Sequence, residues 1–226
     1  MGAEYLRFKL ETCNPSGSYK DRFVAAEVAH MQARGVRACI ATSSGNTGSS
    51  LAAFCARAGI RCAIVVNENA PSGKLAQMQA HGAHVMRVPG FVTDPDVTAA
   101  VFAALEELAA RRRVPLVISA FRYCPQGMSA VGSIARELAG ERAPRHVFVP
   151  VGGGGLYSAT VQGFADQGAE MPRVHAVQPA GCLTLVGAWQ RGGSEIPPVR
   201  STTAISGLAV PNDLDASRAL ALLRRS

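Results

Sequence analysis

The sequence predicts an α/β fold built on an open sheet. Short apolar runs of strand length alternate with segments whose apolar residues recur at helical spacing, the pattern of successive right-handed βαβ crossovers. Several runs are nearly unbroken in apolar character, as strands buried on both faces of a parallel sheet require. The 226 residues are 48% hydrophobic and 17% charged. That is enough to close a sizeable core and too apolar for a disordered chain.

Taken in order, the candidate strands are 6–10, 38–42, 63–66, 84–88, 116–119, 147–151 and 174–177. Val24, Val28 and Met31 share one face of the first helical segment, and Val97, Val101, Leu105 and Leu108 one face of a later one. Ser72 is placed to cap a helix reaching Ala80, with Gly82 ending it. The run 192–199 reads as a surface loop, and 213–225 as a last helix.

Composition excludes several classes. No apolar run approaches the roughly 18 residues of a membrane span, and Glu4, Arg7 and Lys9 break up any secretory core at the start. The six cysteines form no C-x-x-C pair, so reduced thiols in a cytoplasmic protein are expected. The five histidines show no ligand spacing, and no metal site is expected. Lys and Arg exceed Asp and Glu by 23 to 16, which favours anionic ligands. Arg111, Arg112 and Arg113 end a helical pattern without interleaved aromatics, so nucleic acid is not an expected partner.

Three segments stand where strands lead into helices, the edge at which open α/β sheets bind ligands. In the first, 14–22, Ser18 is a candidate N-cap and Lys20 falls in the first helical turn. A cation there opposes the helix dipole, a placement that suits a reactive amine, although a solvated lysine also fits. In the second, 42–50, six hydroxyls, Asn46, Gly45 and Gly48 surround a helix start. It can hold a carboxylate or phosphate, or be an ordinary capped helix. In the third, 149–156, Gly152, Gly153, Gly154 and Gly155 let consecutive amides converge on one phosphate. The run matches neither G-x-G-x-x-G nor G-x-x-x-x-G-K-[ST], which weakens dinucleotide and nucleoside triphosphate readings. Together, a lysine and two anion-binding helix starts form the inventory that pyridoxal phosphate chemistry requires.

At these residues the chain resembles the fold-type II pyridoxal-phosphate enzymes, the tryptophan synthase β-like superfamily. Residues 9–22 look like its K-x-E-x-x-N-P-[TS]-G-S-[FY]-K-D-R, residues 43–48 like its S-[ST]-G-N-x-[GA] loop, and residues 152–156 like its glycine-rich phosphate cup. Lys20-Asp21-Arg22 after Ser18-Tyr19, and the run 201–211, are most similar to the threonine synthase branch.

The resemblance implies three-layer open sheets and pyridoxal 5′-phosphate as cofactor. It implies that Lys20 carries the cofactor as a Schiff base and then acts as general base. The amides of Gly152, Gly153, Gly154 and Gly155 would hold the cofactor phosphate, and Asn46 the ring hydroxyl. Ser43, Ser44, Gly45 and Thr47 would grip the carboxylate of a small amino-acid substrate. The implied reaction is elimination or replacement at Cβ or Cγ, conversion of O-phosphohomoserine to threonine being the leading case; dehydratase, cysteine synthase and non-catalytic relatives are the alternatives. Residues 1–34 and 120–226 would belong to a larger cofactor domain and 35–119 to a smaller one, in a homodimer. The family carries more chain before Lys9 and after Ser226, so the fold is expected to be incomplete, without the residue that faces the pyridine nitrogen.

Overall fold

Two parallel sheets organise the chain in a computed structural model that describes residues 5–43, 45–140, 143–168 and 171–225. The first contains β1 (Ala38–Thr42), β2 (Arg61–Asn67), β3 (His84–Val88) and β4 (Leu116–Val117) in the order β3-β2-β1-β4. Helices α2 (Asn46–Ala58) and α3 (Ser72–Ala80) make the crossovers to β2 and β3. Helix α4 (Pro95–Arg112) then returns the chain to the other side of β1. The direction of winding therefore reverses between β1 and β4, and their carboxyl ends border the crevice where such sheets bind ligands.

Alternation along the strands produces three layers. Cys39, Ala41, Cys62, Ile64 and Val66 join one core with α1 (Lys20–Ala33), α2 and α3. Ile40 and Val65 belong to a second core with Phe91 and Leu105, on the α4 side. Both faces are covered, which is why β1 and β2 read as almost continuous apolar runs. Val24, Val28 and Met31 are all buried, as their spacing predicts.

The second sheet pairs β5 (His146–Pro150) with β6 (Arg173–Val177) through α7 (Gly155–Ala165). Its core joins Val149, Val151, Tyr157, Val161, Phe164 and Val174 to α8 (Leu185–Gln190) and α9 (Ala216–Leu223). Between the sheets lie α5 (Pro125–Ala130) and α6 (Ser133–Leu138). Helices α6 and α7 approach closely enough that a Cβ on Gly163 would collide with the Gly132 carbonyl oxygen.

Local chemistry sets several boundaries. Asp94 caps α4 by accepting from the amides of Asp96 and Val97, with Pro95 in the first turn. Arg111 and Arg112 occupy its last turn, where cations complement the dipole. Gly59 ends α2 at φ +68°, a conformation glycine adopts without strain.

Four expectations are corrected. Residues 6–10 form no strand: Leu6, Phe8 and Leu10 are exposed and no strand among the described residues pairs with them, and the chain runs instead into a 3₁₀ turn at Glu11–Cys13. Strand β4 stops at Val117, two residues early, because only Ile40 and Ala41 pair with it. Ser72 is the first residue of α3, after Pro71, and makes no capping bond. Ser18 is not the cap residue of α1, which is Tyr19, but its Oγ does accept from the Lys20 amide at 3.3 Å.

Candidate active site

Lys20 is the first residue of α1, and its neighbours Asp21 and Arg22 explain how it is held. Asp21 is buried, and its carboxylate accepts from the Ser16 amide at 2.7 Å and from the hydroxyls of Ser16 and Ser50. One side chain thus closes the turn before α1 and ties it to α2. Asp21→Ala would leave buried donors at Ser16 and Ser50 without an acceptor. It is expected to cost about 2–4 kcal/mol, read as a lowered denaturant midpoint.

Arg22 points the other way. Its guanidinium forms a two-bond fork with Glu11 at 2.7 and 2.8 Å and another with Glu137 of α6 at 2.6 and 2.8 Å. Lys9 adds a 2.6 Å ion pair to Glu137. Hydrogen bonds from Arg22 and Lys9 pull the Glu137 carboxyl down to about 2. Burial opposes ionisation of Glu11, but bonds from Arg22 and Asn14 outweigh it and hold that carboxyl low as well. Both groups bind protons less readily folded than unfolded. Their contribution is therefore complete above the ordinary carboxylate range of about 4.3 and disappears as pH falls toward the Glu137 value of about 2. Thermal stability measured across that window is expected to fall, less steeply in Glu137→Gln.

The Lys20 side chain extends to the reversal point of the sheet. Nζ donates to Ser119 Oγ at 2.7 Å, two residues beyond β4, and Ser119 Oγ lies 3.0 Å from Thr47 Oγ1 in the first turn of α2 beyond β1. Nζ also sits 4.7 Å from the centre of the Tyr19 ring. Thr47 is buried. Asn46, at the helix start, is exposed, and Gly45 takes the cap position, its amide donating to Ser43 Oγ at 3.3 Å. Gly48 allows the loop to close on the helix, since a Cβ there would lie 2.5 Å from the Ser43 carbonyl oxygen. Ser44 lies outside the described residues.

The four glycines form the turn between β5 and α7, with Gly154 at φ +92°. None of the amides of residues 152–155 donates to an acceptor among the described residues. Asp215 links this turn to the lysine. Its amide donates to the Gly153 carbonyl at 2.9 Å, and its carboxylate accepts from the Phe121 amide at 2.9 and 3.0 Å, in the loop that carries Ser119. Burial raises the Asp215 carboxyl, against the lowering effect of the Phe121 amide and, more weakly, of Lys20. The structure thus brings Lys20, Thr47 and Ser119 into contact and places the glycine turn one residue link away.

Ser119 and Asp215 carry no signal in the sequence that separates them from other residues of their type. Their partners are 99 and 94 positions distant.

The whole chain, residues 1–226, matches the family described as pyridoxal-phosphate dependent enzyme, and the chain belongs to that family. Its relatives include a threonine synthase from Bacillus sp. (strain ULM1), 35% identical over 184 residues, which cover 79% of this chain and 50% of the relative. A threonine synthase from Methanocaldococcus jannaschii is 30% identical over 227 residues, 97% of this chain and 55% of the relative. The chain spans about half the length of these curated relatives. Among solved structures, a threonine deaminase isoform from Solanum lycopersicum superposes with a TM-score of 0.79 at 21% identity, covering 95% of this chain and 57% of that one. A maize serine racemase gives 0.79 at 21%, covering 96% and 63%. These structures establish the fold.

The family's cofactor is pyridoxal 5′-phosphate, and the residues present fit it. Four amides without acceptors at a helix N-terminus are a donor set for a phosphate. Ser158, fully buried in the first turn of α7, has a hydroxyl with no partner among the described residues. The Lys20 amine meets the neutral hydroxyl of Ser119 at Nζ and makes no ion pair among the described residues.

Proposed function

We propose that this chain holds pyridoxal 5′-phosphate and acts on a small amino acid by elimination or replacement at Cβ or Cγ. Conversion of O-phosphohomoserine and water to threonine and phosphate is the leading reaction. The observation that carries the reading is the Lys20 amine held by Ser119, whose hydroxyl in turn meets Thr47, at the sheet's reversal point. The threonine synthases that align along the chain supply the substrate class.

When bound, the cofactor supplies a ring that stabilises negative charge at the amino acid's Cα. The residues of the chain do the rest. Lys20 Nζ, the amine that would hold the cofactor, would also remove and return a proton at the substrate, with Ser119 keeping its nitrogen aimed. The amides of Gly152, Gly153, Gly154 and Gly155 hold the phosphate in the field of α7. Ser43, Ser44, Gly45 and Thr47 take the substrate carboxylate at the start of α2, and Asn46 the ring hydroxyl. Residues 35–119 then form a smaller domain bearing the substrate loop, and residues 1–34 and 120–226 parts of the cofactor domain.

The test is product formation by the purified chain supplied with pyridoxal 5′-phosphate. Threonine and phosphate appearing together from O-phosphohomoserine support the reading. A 2-oxo acid and ammonia from threonine or serine, without threonine formation, would replace it with a dehydratase. No turnover of any of the three by folded, cofactor-loaded protein would overturn it.

A further inference from the structure

Three cysteines from three different elements meet in the core at the amino ends of the strands. Cys39 and Cys62 are register partners, each the second residue of its strand, on β1 and β2. Cys55, in the third turn of α2, packs against both. The three sulfurs all lie within 4.8 Å of one another, with Cys39 Sγ and Cys55 Sγ 3.7 Å apart. Among the described residues no His, Asp, Glu or further Cys joins the group.

That geometry is close to what a small soft cation needs. A metal bound at about 2.3 Å to three coplanar sulfurs sets them about 4 Å apart. Three sulfurs without a fourth donor do not complete the tetrahedron of a structural zinc site, whereas all-sulfur ligation favours Cu(I). We propose that Cys39, Cys55 and Cys62 form a buried, three-sulfur binding site for a monovalent soft metal ion, Cu(I) being its chemical type.

Metal entry releases a proton to solvent from each thiol that becomes a thiolate ligand. All three cysteines are buried, so an ion must enter through a local opening of the packing. The cluster is separate from the lysine site: Ser43 is four residue steps of extended chain, about 13 Å, beyond Cys39.

The experiment uses the full chain, reduced, and Cu(I) delivered under anaerobic conditions in competition with a chromogenic copper(I) chelator. One ion per chain is expected, with X-ray absorption showing sulfur as the sole scattering ligand and with a raised melting temperature. Cys62→Ser and Cys39→Ser are expected to weaken binding by more than about 100-fold, beyond what loss of an outer partner of a ligand costs. Cys13→Ser, which changes an exposed thiol, should leave binding unchanged. Circular dichroism of each variant shows that it is folded, and the absorption spectrum of the parent stands whether or not a variant folds. Binding that survives both strand variants, that disappears in Cys13→Ser, or that shows nitrogen or oxygen ligands would overturn the proposal, as would no retention against the chelator.

Discussion

Lys20→Ala is expected to fold like the parent and to lose covalent cofactor capture and turnover together. The side chain is half-buried and makes one hydrogen bond, to Ser119, which keeps its contact with Thr47 when the amine is removed. The stability change should therefore stay within about 1 kcal/mol. The chemical loss is far larger, since a positioned base alone contributes about 10²–10⁴ in rate, and the attachment point goes with it. Borohydride reduction of the pyridoxal-phosphate-treated chain, followed by peptide mapping, reads this directly. The sequence contains three lysines, Lys9, Lys20 and Lys74, so the label has few places to fall. It should fall on the Lys20 peptide and vanish in the variant. A label on Lys9 or Lys74 in the folded parent would remove Lys20 from its assigned role.

Gly154→Ala is expected to be the most damaging single-methyl change in the glycine turn. The residue sits at φ +92°, and a Cβ would stand 2.7 Å from the Asp215 carbonyl oxygen, 2.9 Å from its carbon and 3.0 Å from the Ala216 Cα. All three atoms are backbone at the start of α9, so no side chain can swing aside. Left-handed strain of about 1–2 kcal/mol adds to an overpacking cost of about 1–3 kcal/mol. The shift would also move Asp215 away from the Gly153 carbonyl and the Phe121 amide. Denaturant unfolding and pyridoxal-phosphate affinity should both decline. Gly193→Ala serves as the reference, because a Cβ there meets nothing within 4 Å.

The parts of this architecture that depend on local pattern were readable in the sequence. Strands β1 and β3 fall where their apolar runs predict, and β2 extends its run by two residues at the amino end and one at the carboxyl end. Glycines 152–155 announce a turn, and Lys20 announces an unusual helix start. What depends on pairing was not readable. Residues 6–10 have strand composition but no paired strand among the described residues, and the expected strand 116–119 runs past the last paired residue of β4. The site shows the same division. Lys20, Thr47 and the glycines lie in motifs, whereas Ser119 and Asp215 acquire their places through tertiary contact. The cysteine cluster was missed because its members are 16 and 7 positions apart, on a strand, a helix and a second strand. No ligand-spacing motif spans such a set.

The hydrogen-bonded line from Lys20 through Ser119 to Thr47 also says when, during folding, the site comes into being. Its two links join residues 99 and 72 positions apart in the sequence. Closing loops of that length is unfavourable until the intervening strands and helices have formed and packed. Helix α1 can exist early, but its lysine has no counterpart until α4 has carried β4 back to the side of β1. On the proposed function, capture of the cofactor on Lys20 would thus be a late event that registers completion of the sheet, and its rate would follow the slowest step in assembling β4.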